Sequence, residues 1–189
     1  TTTTSRSTTS DAAAAAAYDV LIVGGGVVGA ALANGLRDLS SLRVGLIEVG
    51  DAPTNNNNEY PHPRSYALSP ASLSFVEIEP QQEGSIIKKG GLYNSMQVWE
   101  GGQPASLLWN VSDIPDTPFL GCCVEDSVLL QHLWPKWKAD LFTQSTLENA
   151  QFDRSSPWVH GTLQRRNKDN AAAPDTPIRT RLLVAADGA

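Results

Sequence analysis

Val20-Leu21-Ile22-Val23-Gly24-Gly25-Gly26-Val27-Val28-Gly29 decides the fold of this chain. Tyr18 to Val23 is a short, apolar, β-branched run, as expected of a strand buried on both faces. The glycines end it, and Val27 to Leu39 then reads as a helix whose small residues Ala30, Ala31, Ala33 and Gly35 permit close packing. Arg43 to Val49 is a second buried strand, so the three pieces form one βαβ unit.

Gly24-x-Gly26-x-x-Gly29 is a weak signal alone, but here it follows a strand, opens a helix and is answered by an acid at the end of the next strand. Gly24 permits the tight turn, Gly26 lets a pyrophosphate approach the backbone, and Gly29 lets the helix pack against the sheet. The helix N-terminus adds free N–H groups and a positive dipole end. Glu48 stands 19 residues after Gly29, where a carboxylate accepts hydrogen bonds from both ribose hydroxyls and repels a 2′-phosphate. NADP is therefore disfavoured, while NAD and FAD both remain open on these residues. The apolar span from Ala12 to Leu36 raises the question of a membrane helix, but Asp19 and three consecutive glycines count against one.

Downstream, Asp51 to Tyr60, with Asn55 to Asn58 in succession, reads as a polar loop. Ser69-Pro70 marks a helix start, with Ser as N-cap and Pro in the first helical position, for a short helix of about Ala71 to Val76. Ile86-Ile87, Met96 to Trp99 and Leu107 to Trp109 look like strands separated by Gly-rich turns. Val124 to Leu133 has helical spacing, with Leu129, Leu130 and Leu133 on one face and Pro135 as its interruption. Val159 to Leu163 and Ile178 to Leu183 read as strands joined by a long polar loop. Leu183 to Ala186 is apolar on both faces, like a buried parallel strand, and runs into Asp187-Gly188.

Four of these segments carry a resemblance. Pro63-Arg64-Ser65-x-Ala67-Leu68-Ser69-Pro70-Ala71-Ser72 resembles the second conserved stretch of the class A flavin-dependent aromatic hydroxylases, and more closely that of the ubiquinone-biosynthesis hydroxylases. Met96 to Glu100, Val124 to Leu129 and Leu183 to Ala189 agree with it in order, so the likeness spans about Tyr18 to Ala189. It implies an α/β, Rossmann-like FAD-binding fold of the glutathione-reductase/aromatic-hydroxylase type, incomplete here and carrying a β insertion from the substrate domain. On this basis residues 18–84 and 120–189 are expected to form the N-terminal portion of the FAD-binding domain, and residues 85–119 the insertion.

The resemblance also moves the ligand of the glycine motif from NAD to FAD. It places Arg64 beside the pyrophosphate, where a fixed guanidinium neutralises charge. It places Glu125 at the ribitol or ribose region, and Asp187 in an Asp-Gly fingerprint where FAD and nicotinamide come near. The expected cofactor-binding set is thus Gly24, Gly26, Gly29, Glu48, Arg64, Glu125 and Asp187. No side chain is assigned as acid, base or nucleophile. Asp126 stands where relatives often carry Asn, and Trp99 is expected to pack in a core or in the substrate domain. The family pattern continues to a Ser and an Arg after Asp-Gly, and to a later Gly-Asp segment. Neither follows here, so the chain is expected to be an N-terminal part, inactive alone.

By the same resemblance, the whole enzyme would be an FAD-dependent monooxygenase that hydroxylates the ring of a polyprenylated phenol in ubiquinone biosynthesis. Its partners would be dioxygen, NAD(P)H or a ferredoxin relay, and a ubiquinone-biosynthesis protein complex. It would lie peripherally on the matrix side of the mitochondrial inner membrane. The competing readings are another FAD-dependent oxidoreductase of this fold, an NAD-dependent dehydrogenase, and a truncated chain that does nothing alone. Successive βαβ units should follow Glu48 directly in an NAD enzyme, and a loop, a short helix and a β insertion follow instead.

Composition agrees with a globular protein: among the 189 residues, 41% are hydrophobic and 18% charged. A formal charge of -6 and no block of Lys or Arg argue against a nucleic-acid partner. The adjacent Cys122 and Cys123 are too close for an unstrained disulfide and too few for a zinc site, so both are expected as buried free thiols. His62, His132 and His160 are scattered singly and read as structural or surface residues, and no metal site is expected. Asn110-Val111-Ser112 matches the glycosylation triplet, with no other sign of secretion. Residues 1–17, Thr and Ser with one Arg and then an alanine run, are expected to be a disordered tail, a composition that also suits a transit-peptide remnant.

Overall fold

The computed structural model describes residues 15–36, 39, 41–54, 62–78, 85, 91–102, 105–134, 140–152, 154–165 and 174–188. The expected Asn55 to Asn58 loop, the Ile86-Ile87 strand, the Pro135 interruption and nearly all of the N-terminal tail lie outside them.

The βαβ unit is present as β1 (Ala16–Val23), α1 (Val27–Leu36) and β2 (Val44–Ile47). β1 begins at Ala16, so the last alanines of the expected tail are strand residues. β2 pairs with β1 in parallel, from Val20 opposite Val44 to Val23 opposite Ile47. Val20 and Ile22 pack with Val44, Leu46 and Ala33 on the α1 side, whereas Leu21 and Ile47 enter the cluster on the other face. Burial of side chains such as Ile22 and Leu46 contributes about 2 kcal/mol each, which fixes the register of this pair.

After β2 come β3 (Ser65–Leu68), α2 (Pro70–Phe75), β4 (Gly91–Tyr93), β5 (Ser95–Trp99), β6 (Ser106–Asn110), β7 (Gly121–Glu125) and α3 (Asp126–Leu133). The chain continues with β8 (Asp140–Phe142), β9 (Ser145–Phe152), β10 (Val159–Arg165) and β11 (Thr176–Ala185). The main sheet runs β8-β2-β1-β11-β10-β9. Its first four strands are parallel, and β11, β10 and β9 are antiparallel neighbours. β11 is one long strand serving both halves: Thr176 to Thr180 pairs with β10, and Ile178 to Ala185 with β1.

β3, β7 and β4 form a second sheet, and β5 and β6 form a separate two-stranded ribbon. Ser69 caps α2 as expected, its Oγ accepting from Ser72 N–H at 3.2 Å. The helical spacing expected from Val124 is corrected by two residues. Val124 and Glu125 belong to β7, where Cys122 and Val124 point into the core, and the helix starts at Asp126. The alternation of β7 also corrects the cysteine expectation: Cys122 is buried and Cys123 exposed, both free. Burial raises the Cys122 thiol above its ordinary value.

α3 lies beside α1. Asn34, buried on α1, donates through Nδ2 to the Leu133 carbonyl at 3.2 Å, while Leu129 and Leu133 fill a core with Ala30, Leu73 and Phe119. At the opposite end of the sheet, Tyr18, Arg43 and Asp140 tie β1, β2 and β8 together. Tyr18 Oη donates to Asp140 Oδ2 at 2.8 Å, and Arg43 reaches the same oxygen at 2.8 Å through Nη2. Among the described residues, no helix is long and apolar enough to cross a membrane.

Candidate dinucleotide site

The carboxyl ends of β1, β2 and β11 converge where the sheet meets the N-terminus of α1, the place where parallel α/β sheets receive ligands. Gly24 leaves β1 with φ 105°, and a Cβ there would stand 2.6 Å from Asp187 N. Ala186 N–H donates to the Val23 carbonyl at 2.7 Å, joining the glycine turn to the end of β11. Gly29 packs so closely that a Cβ would collide with the Gly24 carbonyl oxygen, which accounts for its requirement at the first turn of α1. A Cβ on Gly26 would meet nothing within 4 Å. Open space at that position suits the close approach of a phosphate.

This space belongs to a cavity of about 640 Å³, of a size suited to a cofactor. Gly24, Gly26, Glu48, Arg64 and Asp187 all line it, although they come from widely separated parts of the sequence. Gly29 and Glu125 do not. Gly29 sits buried behind the turn, where its role is packing. Glu125 instead accepts the His62 backbone N–H through Oε2 at 3.1 Å, which holds the segment leading to Arg64. That segment is fixed again by Asp126 N–H, which donates to the Arg64 carbonyl at 3.1 Å.

Glu48 is half-buried and already engaged. Its Oε2 accepts Gly25 N–H at 2.5 Å and its Oε1 accepts Gly50 N–H at 2.7 Å. Each carboxylate oxygen carries a second acceptor direction, so a ribose diol can still be received. The Glu48 backbone is set between β8 and β9: its N–H donates to Phe142 O at 2.8 Å, and Ser145 N–H donates to its carbonyl at 3.0 Å.

The sequence reading missed one wall of the cavity. Ser145, Thr146, Leu147 and Glu148, at the start of β9, face the glycine turn, and Tyr66 lines the side near Arg64. Tyr66 Oη donates to Asp126 Oδ1 at 2.8 Å. That contact needs only an acceptor, so Asp at this position does what an Asn oxygen would do. Burial, and secondly the bond to Asp126, raises the Tyr66 phenol above its ordinary value. The place of Ser145 to Glu148 beside Glu48 follows from pairing across the fold, where Ser145 N–H donates to the Glu48 carbonyl. Among the described residues no group of three His, Cys, Asp or Glu side chains stands together as metal ligands.

No protein-family model and no curated protein sequence matches the chain. Solved structures do. The rebeccamycin biosynthetic enzyme RebC with reduced flavin superimposes with a TM-score of 0.61 at 24% identity, over 93% of this chain and 33% of RebC. PqsL of Pseudomonas aeruginosa, a probable FAD-dependent monooxygenase, gives 0.59 at 20% identity, over 91% of this chain and 43% of PqsL. A flavoprotein/dehydrogenase of Cytophaga hutchinsonii gives 0.58 at 15% identity, over 91% of this chain and 39% of that one. The fold is the FAD-binding fold of the aromatic-hydroxylase type. At these identities the likeness establishes the fold, and the chain spans well under half the length of each of these proteins.

Proposed function

We propose that this chain supplies the part of an FAD-dependent monooxygenase that grips the ADP half of the cofactor. The observation that carries the reading is the convergence of Gly24, Gly26, Glu48, Arg64 and Asp187 on one cavity. The open backbone at Gly26 and the N-terminus of α1 receive the pyrophosphate, and the Arg64 guanidinium neutralises its charge. Glu48 accepts from the unphosphorylated ribose and keeps a 2′-phosphate out by repulsion. Asp187, exposed at the end of β11, meets the cofactor beyond the pyrophosphate. Glu125 acts on the site indirectly, through its hold on the His62 to Arg64 segment. When bound, FAD would supply the two-electron redox chemistry of a monooxygenase, and the residues named above would hold its ADP half.

The finer reading rests on the resemblance of the Arg64 segment and of the Asp187-Gly188 ending to the ubiquinone-biosynthesis hydroxylases. The substrate is a polyprenylated phenol, the reductant NAD(P)H or a ferredoxin relay, and the setting a protein complex on the matrix side of the mitochondrial inner membrane. Residues 18–84 and 120–189 belong to the FAD-binding domain, and the β5–β6 ribbon within residues 85–119 to the substrate domain. Full-length protein loaded with FAD, given NAD(P)H or a reduced ferredoxin relay, a polyprenyl phenol and isotope-labelled dioxygen, should place one labelled oxygen on the ring and release the other as water. Reductant consumption without label in the phenol would contradict the substrate, and an FAD-free protein would contradict the whole reading.

A further inference from the structure

Gly25 is the residue that the Gly-x-Gly-x-x-Gly spacing leaves unspecified, yet both of its backbone hydrogen-bonding groups are taken by side chains. Its N–H donates to Glu48 at 2.5 Å, and its carbonyl accepts from Trp134 Nε1 at 3.0 Å. A Cβ on Gly25 would stand 2.8 Å from Trp134 Cζ2 and 3.0 Å from Glu48 Oε2, so any larger residue would push the indole or the carboxylate aside. Gly25 itself is buried. Trp134 stands behind the turn, outside the residues that line the cavity.

The indole is mounted on a rigid support. Trp134 is the C-cap of α3, its backbone N–H donating to the Leu130 carbonyl, and the neighbouring Leu133 is buried with its carbonyl bonded to Asn34. The Gly25 carbonyl and the Gly26 N–H share one planar trans peptide, so they point in opposite directions. A donor holding the carbonyl from behind therefore fixes the direction of the Gly26 N–H, on the side where Gly26 borders the cavity. Glu48 does the same for the peptide before it.

We infer that Trp134 is a positioning residue of the nucleotide loop: its indole N–H orients the Gly25–Gly26 peptide so that the Gly26 N–H meets a pyrophosphate oxygen. The inference rests on the proposed FAD reading. It couples the end of α3 to phosphate binding, and it makes the Trp134 indole a reporter of loop occupancy. Trp134→Phe keeps an aromatic ring and removes the donor. The lost preorganisation should weaken binding by about fivefold, the factor matching one neutral hydrogen bond.

The experiment is an ADP titration of the chain and of Trp134→Phe, combined with nitrogen-15 NMR of the indole N–H groups. The wild-type Trp134 indole proton should exchange more slowly than that of Trp99, which is 67% exposed, and should shift when ADP is added. Trp134→Phe should retain the fold and lose about fivefold in ADP affinity. Unchanged ADP affinity in Trp134→Phe would overturn the inference. So would a Trp134 proton that exchanges as fast as that of Trp99 in the ligand-free protein. If Trp134→Phe does not fold, the exchange and shift of the wild-type indole decide alone. Wild-type protein that fails to bind ADP would overturn the FAD reading instead, and the loop clamp would then be judged by the indole exchange.

Discussion

Gly24 turns directly against the backbone of Ala186: an added Cβ would fall onto the Ala186 carbonyl, 2.5 Å from its carbon. The opening turn of the glycine motif and the end of β11 are therefore one structural unit, although they lie at opposite ends of the sequence. Gly24→Ala would combine an unfavourable φ of 105° with a backbone collision. We expect a loss of about 2–4 kcal/mol in urea unfolding. A variant within about 0.5 kcal/mol of wild type would show that β11 does not seat against the turn as described.

The Tyr18–Asp140 bond should give the stability a recognisable dependence on pH. The Tyr18 phenol is pushed up to about 12, first by burial and then by its bond to the Asp140 carboxylate. A group whose pKa is raised by folding stabilises below its unfolded value and loses that contribution as pH rises. The stability difference between wild type and Tyr18→Phe should thus hold up to about pH 10 and shrink from there towards pH 12.

Asp140 works at the other end of the scale. Its hydrogen bonds to Arg43 and then to Tyr18 lower its carboxyl below the ordinary range. A depressed carboxylate stabilises above its unfolded pKa, and the contribution is lost as pH falls through the folded value. The difference between wild type and Asp140→Asn should be flat at neutral pH and narrow below about pH 4. A gap that is independent of pH in thermal melts would remove this ion pair from the account of how β8 is held.

The β5–β6 ribbon should be the least protected β structure among the described residues. It pairs with no other described strand, and Val98, Trp99, Leu107 and Leu108 are exposed on it. A two-stranded ribbon is marginal alone in water. Its amides should exchange with deuterium well before those of β1 and β11, and Trp99→Ser should cost less than about 0.5 kcal/mol. Equal protection in the two regions would mean that the ribbon is packed against something.

Trp99 is exposed on the ribbon, so of its two expected places, a core or the substrate domain, the core formed by the described residues is ruled out. An aromatic in a strand-like run reads as core, and nothing local says that its strand has a single partner among the described residues. The β1–α1–β2 unit was legible because its signals are local: a β-branched run, a glycine turn, small helix residues and an acid at fixed spacing. Ser69-Pro70 was legible for the same reason. The β7–α3 boundary was not, because Val124 and Glu125 suit either period and only pairing with β3 decides between them. The Ser145 to Glu148 wall and the Trp134 clamp escaped altogether. Both reach the glycine turn through contacts between distant segments, and neither residue type carries a motif of its own.

Glu48 is proposed as the ribose acceptor of the cavity, and a carboxylate there should discriminate against a 2′-phosphate. The direct measurement is calorimetric titration of the chain and of Glu48→Gln with ADP, with FAD, and with ADP bearing a 2′-phosphate. ADP and FAD should compete for one site, the 2′-phosphate should weaken binding at least about tenfold, and Glu48→Gln should lose about tenfold for ADP. Equal affinity for the two forms of ADP, or unchanged binding by Glu48→Gln, would contradict the account.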